Sequence, residues 1–167
     1  MSNDLRLYTF VNMYLSSIQQ GIQSAHVATD LSSKYRRARS KASLLLQQWE
    51  DEGKTMIVLN GGMAVDVRNS YYEYRDAAMN FPKQNIYPFT FFYEEVGAIH
   101  ESRSAMTAWG IVLPPEVYNA KPVEMFPART GFSTVPQASI TDGDPIWEAG
   151  SIEHVICTIL QGKSLAR

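Results

Sequence analysis

The chain has 167 residues, of which 45% are apolar and 19% charged, and a formal net charge of -2. That length suits a single domain with a sizeable core, and the composition excludes a disordered or collagen-like chain. The charge balance gives no global pull toward nucleic acid, so an RNA contact would need a local basic patch.

The lone cysteine, Cys157, can form neither an internal disulfide nor, by itself, a metal site, and it suits a reducing cytosol. No apolar run approaches the roughly 18 residues that a membrane span requires. Met1 to Arg6 lacks the basic and apolar regions of a secretory signal. Together these features read as a soluble, cytoplasmic chain with no membrane partner.

Leu5 to Leu15 is rich in aromatic and β-branched residues without helical period, and predicts a buried strand. Ser16-Ser17 offers an N-cap for a helix beginning near Ile18. On that helix Ile18, Ile22, Ala25 and Thr29 share one face, which predicts the packing side, with Gly21, Ala25 and Ala28 allowing close approach to a sheet. Gln19, Gln23, His26 and Asp30 recur at the same spacing on another face. This polar stripe starts at a strand end, where open α/β sheets place ligands.

Lys34 to Lys41 gathers five basic side chains in eight positions. A second helix is predicted over Ala42–Glu52, with Leu45 and Trp49 on its inner side and Gly53 as its stop. Thr55–Leu59 predicts a short strand closed by Asn60-Gly61-Gly62, and Ser70–Met79 a third helix ended by Pro82. Two further strands are predicted, over Phe89–Tyr93 and Met106–Leu113. The hairpin-like link between them carries Glu94, Glu95, His100 and Glu101. Residues 116–144 read as a long loop insertion, and Ser151–Leu160 as a closing helix whose inner face holds Ile152, Val155, Ile156 and Ile159. The whole reads as one α/β domain, with a core over 5–114 and a closing helix at 151–161.

Three segments carry a family resemblance. They are Val11-Asn12-Met13-Tyr14-Leu15-Ser16, Gln23-Ser24-Ala25-His26, and Leu44 to Leu59 with its Trp49-Glu50 and Gly53; a weaker match covers Pro88 to Pro114. In their order and spacing these resemble the type II peptidyl-tRNA hydrolases, over about two thirds of the chain. The resemblance implies a three-layer α/β fold, with a small mixed four-stranded sheet flanked by helices. Where the family has lysines just before the Gln-x-x-His segment, this chain has Ser16-Ser17-Ile18-Gln19.

The resemblance implies two functions. One is hydrolysis of an ester or amide in peptidyl-tRNA or a related substrate; the other is a catalytically inactive binding protein on the same scaffold. For the first, the catalytic candidates are Glu94 or Glu95, in place of the family's turn carboxylate, with Gln23, His26 and Thr107. Shielding by Phe92 and Tyr93 would raise the pKa of such a carboxylate toward a value suited to proton transfer. His26 could be oriented by Asp30 as a general base, or could be purely structural.

Gln19, Asn12 and His100 are candidate substrate-binding residues, and Lys34, Arg36, Arg37 and Arg39 a candidate grip for tRNA or RNA. The same basic run reads equally as a solvated linker. Residues 116–144 could engage a protein partner, and a homodimer is compatible with the scaffold. No cofactor is implied, and no His, Cys, Asp or Glu cluster has metal-ligand spacing.

Overall fold

The computed structural model describes residues 4–82, 85–96, 103–119 and 151–166. Strand β1, Arg6–Asn12, ends where the Asn12 side chain turns back and accepts from the Tyr14 amide at 3.0 Å. Three residues on, Ser16 caps helix α1, Ser17–Tyr35. Its hydroxyl accepts from the Gln19 amide while Gln19 Oε1 accepts from the Ser16 amide, a reciprocal cap that satisfies two otherwise orphan donors. Helix α2, Lys41–Glu52, starts on Ser40 and stops at Gly53; Trp49 Nε1 donates to Thr55 O at 2.9 Å and fixes the entry to strand β2, Thr55–Gly62.

Helix α3 spans Ala64–Asn80, strands β3 and β4 span Phe89–Val96 and Arg103–Leu113, and helices α4 and α5 span Pro115–Tyr118 and Ile152–Leu160. The four strands form one sheet in the order β2-β1-β4-β3. Strand β1 runs parallel to β2 and antiparallel to β4, which is antiparallel to β3, so the sheet is mixed.

Alternation along β1 divides the core in two. Leu5, Leu7 and Val11 meet Val27, Leu31, Leu46 and Trp49 of α1 and α2 on one face. Tyr8 and Phe10 meet Tyr71, Tyr74, Ile152 and Ile156 of α3 and α5 on the other, where Phe10 stacks on Trp109 at 4.4 Å. The expected three layers are therefore present. Close approach of α1 to the sheet occurs at Gly110, where a Cβ would lie 2.7 Å from Val27 and 2.9 Å from the Tyr8 carbonyl oxygen.

Both edge strands of the sheet carry added contacts, along part of β2 and at the first residue of β3. Asn60 N donates to Ser164 O, and Ala166 N to Val58 O, along β2. At β3, Lys34 Nζ and Tyr35 Oη donate to Phe89 O.

Several expected boundaries and faces differ. Strand β1 stops at Asn12 rather than Leu15 because the Asn12 turn intervenes. Strand β2 continues through Gly62, and α3 begins at Ala64, where Asp66 accepts from the Met63 amide and supplies the start that the sequence pattern did not show. Glu94 and Glu95 lie in strand β3, paired with Ala105 and Ser104, and not in a turn.

The largest correction concerns α1. Its buried residues are Gln20, Gln23, Ser24, Val27 and Leu31, while Ile18 is 75% and Ile22 49% exposed and Gly21 has no neighbour for a Cβ. A buried polar group costs free energy only when it lacks a partner, and this face has partners. Ser24 Oγ lies 2.9 Å from Thr9 Oγ1 and donates to Gln20 O, and Gln20 Nε2 donates to Leu15 O. At the start of the expected insertion, α4 packs on α5 with Val117 fully buried, so those residues belong to the core.

Candidate functional site

Three of the sequence-predicted residues meet at one point. Thr107 Oγ1 donates to Gln23 Oε1 at 2.7 Å, and Gln23 Nε2 donates to Glu94 Oε2 at 2.9 Å. They come from β4, α1 and β3, and converge near the C-terminal ends of the parallel strands β1 and β2, on the α1 face.

A bulge brings Thr107 there. The β3–β4 ladder steps from Phe92–Ala108 directly to Tyr93–Met106, leaving Thr107 without a partner on β3. In regular alternation Thr107 would share the α3 side with Trp109 and Ile111. The extra residue re-aims its side chain toward α1, a common use of bulges beside functional sites. On β3 alternation holds: Phe89, Phe91 and Tyr93 contact aromatic rings on the α3 side, and Phe92 and Glu94 reach α1.

Donor and acceptor chemistry orients the chain of bonds. An ionised carboxylate only accepts, so Gln23 must turn its N–H toward Glu94 and its oxygen toward Thr107, which must then donate. Gln23 and Thr107 are 4% and 5% exposed, whereas Glu94 is exposed and its Oε1 makes no hydrogen bond to the described residues. The result is a carboxylate held from behind by a buried amide with one oxygen open, a geometry that can accept a proton from water or hold a donor group of a ligand. The expected shielding of this carboxylate by Phe92 and Tyr93 is not found, because β3 carries Glu94 outward.

His26 lies beside this network and not in it. Its ring stacks on Phe92 at 4.4 Å and 8°, and no hydrogen bond joins it to Asp30, so its orientation comes from the aromatic ring. Gln19 is engaged in the α1 cap and Asn12 in the turn after β1. Both side chains shape the strand-to-helix passage instead of facing a ligand. Of Glu95 only the backbone belongs to the described part, and His100 lies outside the described residues.

The basic run divides. Lys34 donates to Phe89 O at 2.9 Å and lies over the Phe89 ring at 4.7 Å, and burial there lowers its pKa; it closes a strand edge. Arg36, Arg37 and Arg39 are exposed in the turn between α1 and α2, and Lys41 is exposed at the first position of α2. Gln23 and Arg36 are thirteen residues apart, so the turn sits about 20 Å along α1 from the carboxylate.

The polar pair Thr9 and Ser24 escaped sequence reasoning. Its signal was the recurrence of polar side chains at Gln20, Gln23 and Ser24, on the side of α1 opposite its exposed isoleucines. Among the described residues no group of His, Cys, Asp or Glu could hold a metal ion, and no helix is long and apolar enough to cross a membrane. No protein-family model and no curated protein matches the chain.

Proposed function

We propose that the chain is a hydrolase that splits an ester or amide bond in peptidyl-tRNA or a related RNA-linked substrate, with Glu94 as the base that activates water. One observation carries this reading. Gln23, Glu94 and Thr107, picked from three distant segments by their likeness to the type II peptidyl-tRNA hydrolases, form a single hydrogen-bonded chain that ends on an open carboxylate oxygen. Gln23 and Thr107 act as positioning residues, since the Gln23 oxygen is committed to Thr107 and its N–H to the carboxylate. The exposed Arg36, Arg37 and Arg39 hold phosphates about 20 Å from the reacting bond, as suits a long polyanionic substrate.

A second reading, a binding protein on the same scaffold, is favoured by what replaces the family's lysines before the Gln23–His26 segment. Ser16, Ser17 and Gln19 stand where the resembling family has lysines, and Gln19 is consumed by the helix cap. One experiment separates the two: incubation with peptidyl-tRNA, following release of free tRNA, for the natural chain and for Glu94→Gln. Loss of turnover by about 10²–10⁴-fold in Glu94→Gln with unchanged tRNA affinity is the expected result. Absence of turnover in the natural chain, or turnover indifferent to Glu94→Gln, overturns the hydrolase; tRNA binding without turnover leaves the binding protein.

A further inference from the structure

On the opposite face of the β3–β4 hairpin lies a groove of about 490 Å³, between the N-terminal half of α3 and the sheet. That volume falls within the range of small-molecule sites. Val65, Ala105 and Met106 give it an apolar floor, and Tyr72 and Tyr93 provide aromatic walls. The walls are braced from behind. Phe91 packs edge-on against Tyr93 at 5.2 Å and against Tyr71 at 4.8 Å, and the Arg75 guanidinium lies 4.4 Å from the Tyr72 ring centroid.

Two arginines on α3 lie near the aromatic walls, and they differ. Arg75 is paired with Asp76 at 2.8 Å, whereas Arg68, which lines the groove, makes no ion pair among the described residues. The nearby acid Asp66 accepts from the Met63 amide at the start of α3 and is not bonded to Arg68. The groove thus combines flat aromatic surface, an apolar floor and a guanidinium that makes no ion pair among the described residues. Such a site suits a planar ring joined to an anionic group, the ring on the aromatic surface and the anion at the guanidinium.

We propose that this groove binds a nucleotide, with the base against Tyr72 and Tyr93 and the phosphate at Arg68. The site is separate from the Thr107–Gln23–Glu94 network, which faces α1 across the sheet, and does not depend on that network being catalytic. A free mononucleotide and the terminal nucleotide of an RNA share this chemistry, and the test distinguishes them.

The full chain is titrated with AMP, adenosine, inorganic phosphate and a short 5′-phosphorylated oligoadenylate, followed by calorimetry and tyrosine fluorescence. Saturable AMP binding is expected, with adenosine about fivefold weaker, the contribution of one exposed charge pair. Arg68→Ala should bring AMP down to the adenosine level. Val65→Trp, at a position 45% exposed, should fill the groove and abolish both. Oligoadenylate binding more tightly than AMP with the same Arg68 dependence assigns the site to a chain end; equal affinity assigns it to the free nucleotide. No saturable AMP binding at millimolar concentration, or binding that survives Val65→Trp in a variant with native circular dichroism, overturns the proposal.

Discussion

Thr107 and Gln23, 84 residues apart in sequence, share a buried hydrogen bond of 2.7 Å that exists because β4 bulges at Thr107. Thr107→Val keeps the shape and removes the donor, stranding the Gln23 oxygen. Such a loss costs about 1–3 kcal/mol. Thr107→Ser should recover most of it, and urea unfolding of the two variants checks the difference.

The α1–sheet contact gives a second expectation. At Gly110 an added Cβ meets Val27 at 2.7 Å and the Tyr8 carbonyl oxygen at 2.9 Å, so Gly110→Ala should cost about 1–3 kcal/mol by overpacking. Combining it with Val27→Ala should recover part of that cost, since the side-chain clash disappears while the backbone clash stays. A double-mutant cycle reads the coupling.

Burial on α1 gives a third. Ile22→Ser, at a position 49% exposed, should change stability by no more than about 0.5 kcal/mol. Leu31→Ala, at a fully buried position on the same helix, should cost about 2–5 kcal/mol. Equal costs at the two positions would contradict the observed face of the helix.

Cys157 is buried in α5, and burial, helped by the charge of Glu153, pushes its thiol up to about 11. The neutral form is the one the fold prefers. The folded chain therefore holds the proton where the unfolded chain releases it, and stability falls as pH rises from about 9 to about 11. At pH 8 a thiol reagent should modify the chain only after denaturant unfolds it; rapid labelling of the native chain would contradict this.

Replacing Arg36, Arg37 and Arg39 by Ala should flatten the salt dependence of RNA binding, by up to about 0.7–0.9 in log–log slope for each phosphate that is no longer neutralised. Lys34→Ala should leave that slope unchanged, because Lys34 is bound to the Phe89 carbonyl oxygen. Filter binding across a salt series measures both.

Much of this protein was written in local patterns. Aromatic and β-branched runs marked the four strands, Ser16-Ser17 marked the start of α1, and Gly53 marked the stop of α2. These are effects of backbone sterics and capping that act within a few residues. Gln23, Thr107 and the pair Glu94/Glu95 also stood out by residue type and position; that Gln23, Glu94 and Thr107 join in one hydrogen-bonded chain was not legible.

What tertiary structure alone decided was which side of α1 faces in and what the polar residues touch. Ile18 and Ile22 looked like core and are exposed. Gln23 stood on a polar stripe read as ligand-facing, and Gln20 and Ser24 carried no packing signal; all three are buried, because Leu15 lies just before the helix and Thr9, Thr107 and Glu94 arrive from the sheet. Hydrophobic periodicity weighs each side chain against water alone. The cost of burying an amide or hydroxyl depends on the group waiting for it, and at Thr107 that group is delivered by a one-residue bulge whose register only the assembled sheet defines.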